Sequence, residues 1–110
     1  MRMTVEKFAE LLGYEVLCMP MPENEIGGGY AGDLLSWVMG RLREGQAWVT
    51  IMSNVNVVAV ASLAEPSCVI LAEGVELDDG VLERAQIQEI NILRTKKDSF
   101  SVCADIKSVL

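Results

Sequence analysis

Histidine is absent from the 110 residues, so the chain has no imidazole to serve as a base near neutral pH or to hold zinc. Cysteine is scarce and odd in number. Cys18, Cys68 and Cys103 stand far apart, with no C-x-x-C pair. That spacing argues against a disulfide framework and against a thiolate metal site, and it implies neither a metal nor a cofactor. Apolar neighbours make all three cysteines read as small buried hydrophobes in a reducing compartment. Basic residues are few, nine against 16 acidic, and the net charge is −7. The one basic cluster is Arg94, Lys96 and Lys97, so DNA and RNA are not expected partners. No apolar run is long enough to span a membrane. The longest, Val55 to Leu63, is interrupted by Asn56 and Ser62. The first residues carry Glu6 and no apolar signal core, so no secretory leader is expected and the expected location is the cytoplasm.

What is present is hydrophobic: 51% of the residues, with positive mean hydropathy. That excludes disorder and predicts a single domain over residues 1–110 with a real core. It also predicts more apolar surface than a small monomer hides, most simply covered in a homodimer. The acidity serves solubility.

The pattern is one of alternating strands and helices. Thr4 caps a helix from Val5 to Leu12, with Val5, Phe8, Leu11 and Leu12 inward and Gly13 closing it. Tyr14 to Met19 reads as a strand, ended by Pro20 and Pro22. A glycine-rich loop leads to a short extended piece at Tyr30-Ala31. Asp33 then caps a helix that ends at Gly40 in the left-handed closing position, with Leu34, Leu35, Val38 and Met39 on its apolar face. Ala47 to Met52 is a buried strand. Val55 to Ala64 is ambiguous, because its four valines favour a strand. Alanines, the Asn54 cap and the need for a crossover between two parallel strands favour a helix, which is the expectation. Cys68 to Ala72 is a second buried strand, with a turn at Glu73-Gly74. Asp78 or Asp79 caps a helix to Gln88, with Val81, Leu82, Ala85 and Ile87 inward. Ile90 to Leu93 is a third strand, and Ser99 to Val109 a closing helix with Phe100, Cys103, Ile106 and Val109 or Leu110 inward. The implied class is α/β, a mostly parallel sheet flanked by helices.

Ligands of open parallel sheets bind beyond the carboxyl ends of the strands. That rule selects Gly32 and Asp33, then Ser53, Asn54 and Asn56, then Glu73 and Gly74, then Arg94, Thr95 and Lys96. Gly28 and Gly29 join them as a backbone nest before the first of these strands. Exposed N–H groups and helix dipoles at such an edge suit a small polar or anionic ligand, nucleotides included. The same residue types are also ordinary caps and turn formers. No G-x-x-x-x-G-K-S/T phosphate loop is present, and the G-x-G-x-x-G echo at Gly27, Gly29 and Gly32 has no long apolar strand before it. Asp33 and Glu73 are the nearest thing to an acid/base pair, and their spacing does not join them. No catalytic residue is assigned. Trp37 and Trp48 read as core or subunit contacts.

The run Gly28-Gly-Tyr-Ala-Gly-Asp-Leu-Leu-Ser-Trp-Val-Met-Gly40 resembles the small stand-alone DRTGG-domain proteins. So do Ala47-Trp-Val-Thr-Ile51, Asn56 to Leu63, Val69 to Val75 and Ile90 to Leu93. The resemblance implies a fold like the N-terminal domain of HPr kinase/phosphorylase and a regulatory role. It implies no kinase activity, since that enzyme's phosphate loop lies in a different domain. The name-giving residues have drifted: Asp-Arg falls at Ser53-Asn54 and Thr-Gly-Gly at Ala72-Glu73-Gly74, where Gly74 alone is kept. Two functions follow. One is a non-catalytic ligand-sensing module. The other is a structural subunit that docks on a larger metabolic enzyme.

Overall fold

The computed structural model describes residues 2–110. Ten elements follow in order: α1 (Val5–Leu12), β1 (Glu15–Cys18), β2 (Gly29–Ala31), α2 (Leu35–Arg41), β3 (Ala47–Thr50), α3 (Asn56–Ala64), β4 (Cys68–Leu71), α4 (Val81–Ile87), β5 (Ile92–Arg94) and α5 (Ser99–Ser108). The strands form one sheet in the order β1-β5-β4-β3-β2. β2 through β5 run parallel, each paired with its successor, and β1 runs antiparallel against β5. The α/β reading with a mostly parallel sheet holds.

Residue alternation along the strands sorts the helices into two layers. Ala47, Val49, Cys68, Ile70 and Leu93 face one side, where Val5, Phe8, Val102 and Ile106 of α1 and α5 cover them. Trp48, Val69, Leu71 and Ile92 face the other, under Val38, Val57, Val60, Ala61, Val81 and Ala85 of α2, α3 and α4. The central strands β3 and β4 are buried throughout, which explains their near-continuous apolar runs. The segment after β3 is indeed helical. Its valines are buried on the sheet, and that packing overrides their modest helix propensity. Asn91, also buried, ties the loop after β1 to the start of β4. Its Oδ1 accepts from Met21 N, and its Nδ2 donates to the carbonyls of Met21 and Ser67.

The structure corrects several details. Asp33 does not cap α2. Leu34 occupies the cap position without a side-chain bond, because the Asp33 carboxylate is engaged elsewhere. Gly40 lies inside α2 and is not left-handed, and the chain leaves at Leu42 in an extended conformation. Gly80 with φ 82°, not Asp78 or Asp79, precedes α4. Asn54 sits one residue outside the α3 cap, yet its Oδ1 still accepts from Asn56 N at 2.9 Å. Leu11, Leu34, Met39, Leu82, Ile87 and Phe100 are exposed rather than inward, Phe100 at 85%. Short helices lying on a sheet bury a narrow stripe, so residues at the margin of the apolar face stay in solvent. In α5 that stripe is Val102 and Ile106. Cys18 and Cys68 are buried as expected, and Cys103 is only half-buried. Trp48 is core, with its indole N–H donating to Gly32 O at 2.9 Å. Trp37 is exposed and carries the Arg41 guanidinium 4.3 Å above its ring. No helix among the described residues is long and apolar enough to cross a membrane.

Candidate functional site

Because β2 to β5 are parallel, their carboxyl ends share one edge of the sheet. The antiparallel β1 starts at that edge, which brings Glu15 beside Arg94. The two side chains form a bidentate pair, with Arg94 Nε and Nη2 each donating at 3.0 Å to one oxygen of Glu15. That bond raises the already high pKa of the guanidinium, and the nearby Glu76 charge adds to it. A cavity of about 300 Å³ opens here, lined by Gly13, Glu15, Gly74, Glu76, Arg94, Thr95 and Lys96.

The turn after β4 contributes Gly74 to the cavity's lining. Glu73 and Gly74 are both left-handed, with φ 60° and 67°. In that conformation Glu73 N donates to Lys97 O and Gly74 N to Thr95 O, each at 2.8 Å, binding the turn to the segment after β5. A consecutive left-handed pair is the geometry that glycines favour. This accounts physically for a Gly-Gly signature at these positions. Lys96 packs over Gly74, where an added Cβ would meet Lys96 Cγ at 3.5 Å.

The residues selected from the sequence do not form one cluster. Gly74 lines the cavity with Arg94, Thr95 and Lys96. Glu73 is exposed on the same turn. Gly32 is bound into the sheet end, its N–H donating to Val49 O and its carbonyl accepting from Trp48. Asp33 Oδ1 accepts from the Thr50 hydroxyl at 2.7 Å and from Ile51 N at 2.8 Å. This closes the end of β3 before Met52. Ser53 is tied to Asp78, through its carbonyl at 3.0 Å and its hydroxyl at 3.4 Å. Asn54 and Asn56 are engaged with each other at the start of α3. No hydrogen bond joins Asp33 to Glu73 among the described residues. Gly28 and Gly29 are at the opposite edge, because they lead into β2 rather than out of it. They line a separate groove beside α5.

Glu15, Glu76 and Gly13 were not selected from the sequence. Glu15 is 79 residues from Arg94, and no local pattern announces that β1 runs antiparallel. The thiols offer no activated nucleophile. Burial pushes Cys68 up to about 12, and it also raises Cys18 and Cys103. No three acidic or cysteine side chains among the described residues converge as a metal site. Two sides of the cavity therefore differ in charge. Arg94 and Lys96 can hold an anion, while Glu15 and Glu76 compete for the guanidinium or accept from a ligand's donors.

No curated protein matches the chain. Among solved structures, the chain is similar to the CBS and DRTGG domains of the regulatory region of Clostridium perfringens pyrophosphatase, a structure complexed with the activator diadenosine tetraphosphate. The TM-score is 0.73 at 16% identity, over 94% of this chain and 45% of that one. The likeness is one of fold, and this chain spans less than half of that regulatory region. The DRTGG domain family matches residues 31–109, from the end of β2 through α5. The chain belongs to the DRTGG domain family.

Proposed function

We propose that this domain is a non-catalytic regulatory module that senses a small polar or anionic ligand at the carboxyl ends of its parallel strands, and that it works as a homodimer. The observation that carries the reading is the cavity of about 300 Å³ lined by Arg94, Lys96 and the left-handed Gly74 of the turn after β4. Three of the nine basic residues of an acidic chain, Arg94, Lys96 and Lys97, lie in or next to it. Gly74 and Lys96 are the residues assigned to ligand contact, with Arg94 available once a ligand displaces Glu15. Asp33, Ser53, Asn54 and Asn56 hold the neighbouring strand ends in place. The pyrophosphatase regulatory region with a nucleotide activator supports nucleotides as the first class to try, and a larger metabolic enzyme as the object of regulation.

The test is a thermal-shift screen against nucleotides, dinucleotides, acyl-CoA compounds and phosphorylated metabolites. Ligand at about a hundred times its dissociation constant adds roughly 2.7 kcal/mol, several degrees for a domain of this size. The shift is expected with one class and is expected to vanish in Lys96→Ala. No shift across the panel, or a shift indifferent to Lys96→Ala and Arg94→Ala, overturns the site.

A further inference from the structure

We propose that the free edge of β2 is where two copies of this chain join, antiparallel about a twofold axis at Tyr30, so that two five-stranded sheets become one. The proposal rests on the homodimer reading above and gives it a surface.

Backbone alternation decides which groups point outward. Gly28 O accepts from Ala47 N at 2.9 Å, and Gly32 N donates to Val49 O at 3.1 Å. Tyr30 bridges Trp48 between them. Residues 28, 30 and 32 thus direct their hydrogen bonds to β3, and the N–H and C=O of Gly29 and Ala31 turn away from the sheet. Among the described residues neither Gly29 nor Ala31 has a hydrogen-bond partner on that side, and both are exposed.

A second copy fits this edge in one register. A twofold axis at Tyr30 sets Gly29 opposite the partner's Ala31, and Ala31 opposite the partner's Gly29. In an antiparallel ladder the members of such pairs exchange both bonds. Every outward group of β2 is then paired and none is left over. A shift by one residue would bring Tyr30, already committed to β3, to the bonding position.

The edge strand is short, three residues, but it lacks the charged side chains and prolines that also keep exposed strands apart. Residues 26–32 carry no charge and no proline. Within the strand itself, two chains of charge −7 therefore meet without like charges. On the α5 side, β2 is bordered by a groove of about 650 Å³ whose lining mixes Val49, Cys103, Ile106 and Leu110 with Gln46 and Lys107. Gly29 has no side chain to fill it, and an added Cβ would already touch Ile106 Cδ1 at 3.4 Å. An added strand would cover the apolar part of this lining. Main-chain groups of any extended peptide could pair with this edge, but β2 is always present at the concentration of the chain itself and satisfies its own twofold register in full.

The experiment combines sedimentation equilibrium with amide hydrogen exchange on the full chain. The wild type is expected to sediment as a dimer, with Gly29 and Ala31 amides exchanging at least about tenfold more slowly than their intrinsic rates. Ala31→Pro is expected to give a monomer with an unchanged circular dichroism spectrum, because the N–H it removes has no ladder partner within the monomer. Ala31→Lys, which leaves the backbone intact, is expected to do the same through charge. A dimer in which both amides exchange freely, or which survives both substitutions, overturns this edge and leaves the homodimer on another surface. A monomeric wild type overturns the edge and the homodimer together, and leaves the ligand screen untouched.

Discussion

The carboxylate of Asp33, just past the end of β2, accepts a hydrogen bond from the Thr50 hydroxyl at 2.7 Å and so fastens the end of β3. Thr50 is 1% exposed, and the same Asp33 oxygen also takes Ile51 N. Removing the carboxylate leaves the buried hydroxyl without its acceptor. Asp33→Ala is therefore expected to cost roughly 1–2 kcal/mol, in the range measured for groups stranded without a partner. At about 4–8 °C per kcal/mol for a domain near this size, thermal unfolding should register it clearly. Thr50→Val in the Asp33→Ala background should then cost little more, and a double-mutant cycle measures that coupling. Fully additive losses would mean that the bond contributes nothing to stability.

That bond also shows what the sequence could and could not convey. The alternation of elements, the helix at 56–64 and the turn at Glu73-Gly74 are all legible, because they rest on local periodicity and on residues with special backbone preferences. Asp33 looks like a helix cap by the same local rules. Only the parallel pairing of β2 with β3 brings Thr50 within its reach and diverts it. Glu15 is hidden for the same reason: nothing near it reveals that β1 reverses direction. Phe100 and Leu11 sit at helical spacing with the core residues, yet they lie on the edges of narrow buried stripes, and spacing does not give stripe width.

Glu15→Gln tests how the candidate cavity is gated. Glu15 holds Arg94 through two bonds at 3.0 Å, and its carboxylate is largely exposed. Exposed pairs contribute little to folding, so the unfolding midpoint should barely move. If an anionic ligand uses the guanidinium, releasing Arg94 should strengthen binding several-fold, read as a larger thermal shift at fixed ligand concentration. Weaker binding in Glu15→Gln would show instead that Glu15 itself accepts from the ligand.

Tyr14, Asp105 and Lys97 form a cluster expected to contribute to the pH dependence of stability at both ends, with Asp98 adding to the acid side. Asp105 Oδ2 accepts from the Tyr14 hydroxyl and from Lys97 Nζ, each at 2.7 Å. The Lys97 hydrogen bond leads in holding the Asp105 carboxyl below its usual range. A depressed folded-state pKa gives stability that is complete above the unfolded carboxylate value, about 3.9, and is lost as pH falls through the folded one. Asp105→Asn should flatten the decline of urea midpoint below about pH 4. The phenol of Tyr14 moves the other way. Burial, then its bond to Asp105, raises its pKa. Its contribution is complete below the unfolded value near 10 and is lost as pH climbs above it. Tyr14→Phe should flatten the alkaline limb and, because the phenol also helps to lower Asp105, soften the acid limb to a smaller degree. Unchanged limbs in both variants would remove this cluster from the pH dependence.

Glu73→Gly gives the sharpest separation of backbone from side chain at the candidate site. Glu73 holds φ 60°, a region that costs a residue with a Cβ about 1–2 kcal/mol. Glycine relieves that strain, and its freedom in the unfolded chain returns roughly 0.5–1 kcal/mol of it. The substitution is expected to stabilise the domain by up to about 1 kcal/mol, measured by urea unfolding with an unchanged m-value. Because Glu73 N and Gly74 N must still reach Lys97 and Thr95, the turn should keep its shape, and ligand binding should persist if the backbone makes the site. Loss of the thermal shift in a stabilised Glu73→Gly variant would assign the ligand contact to the Glu73 carboxylate.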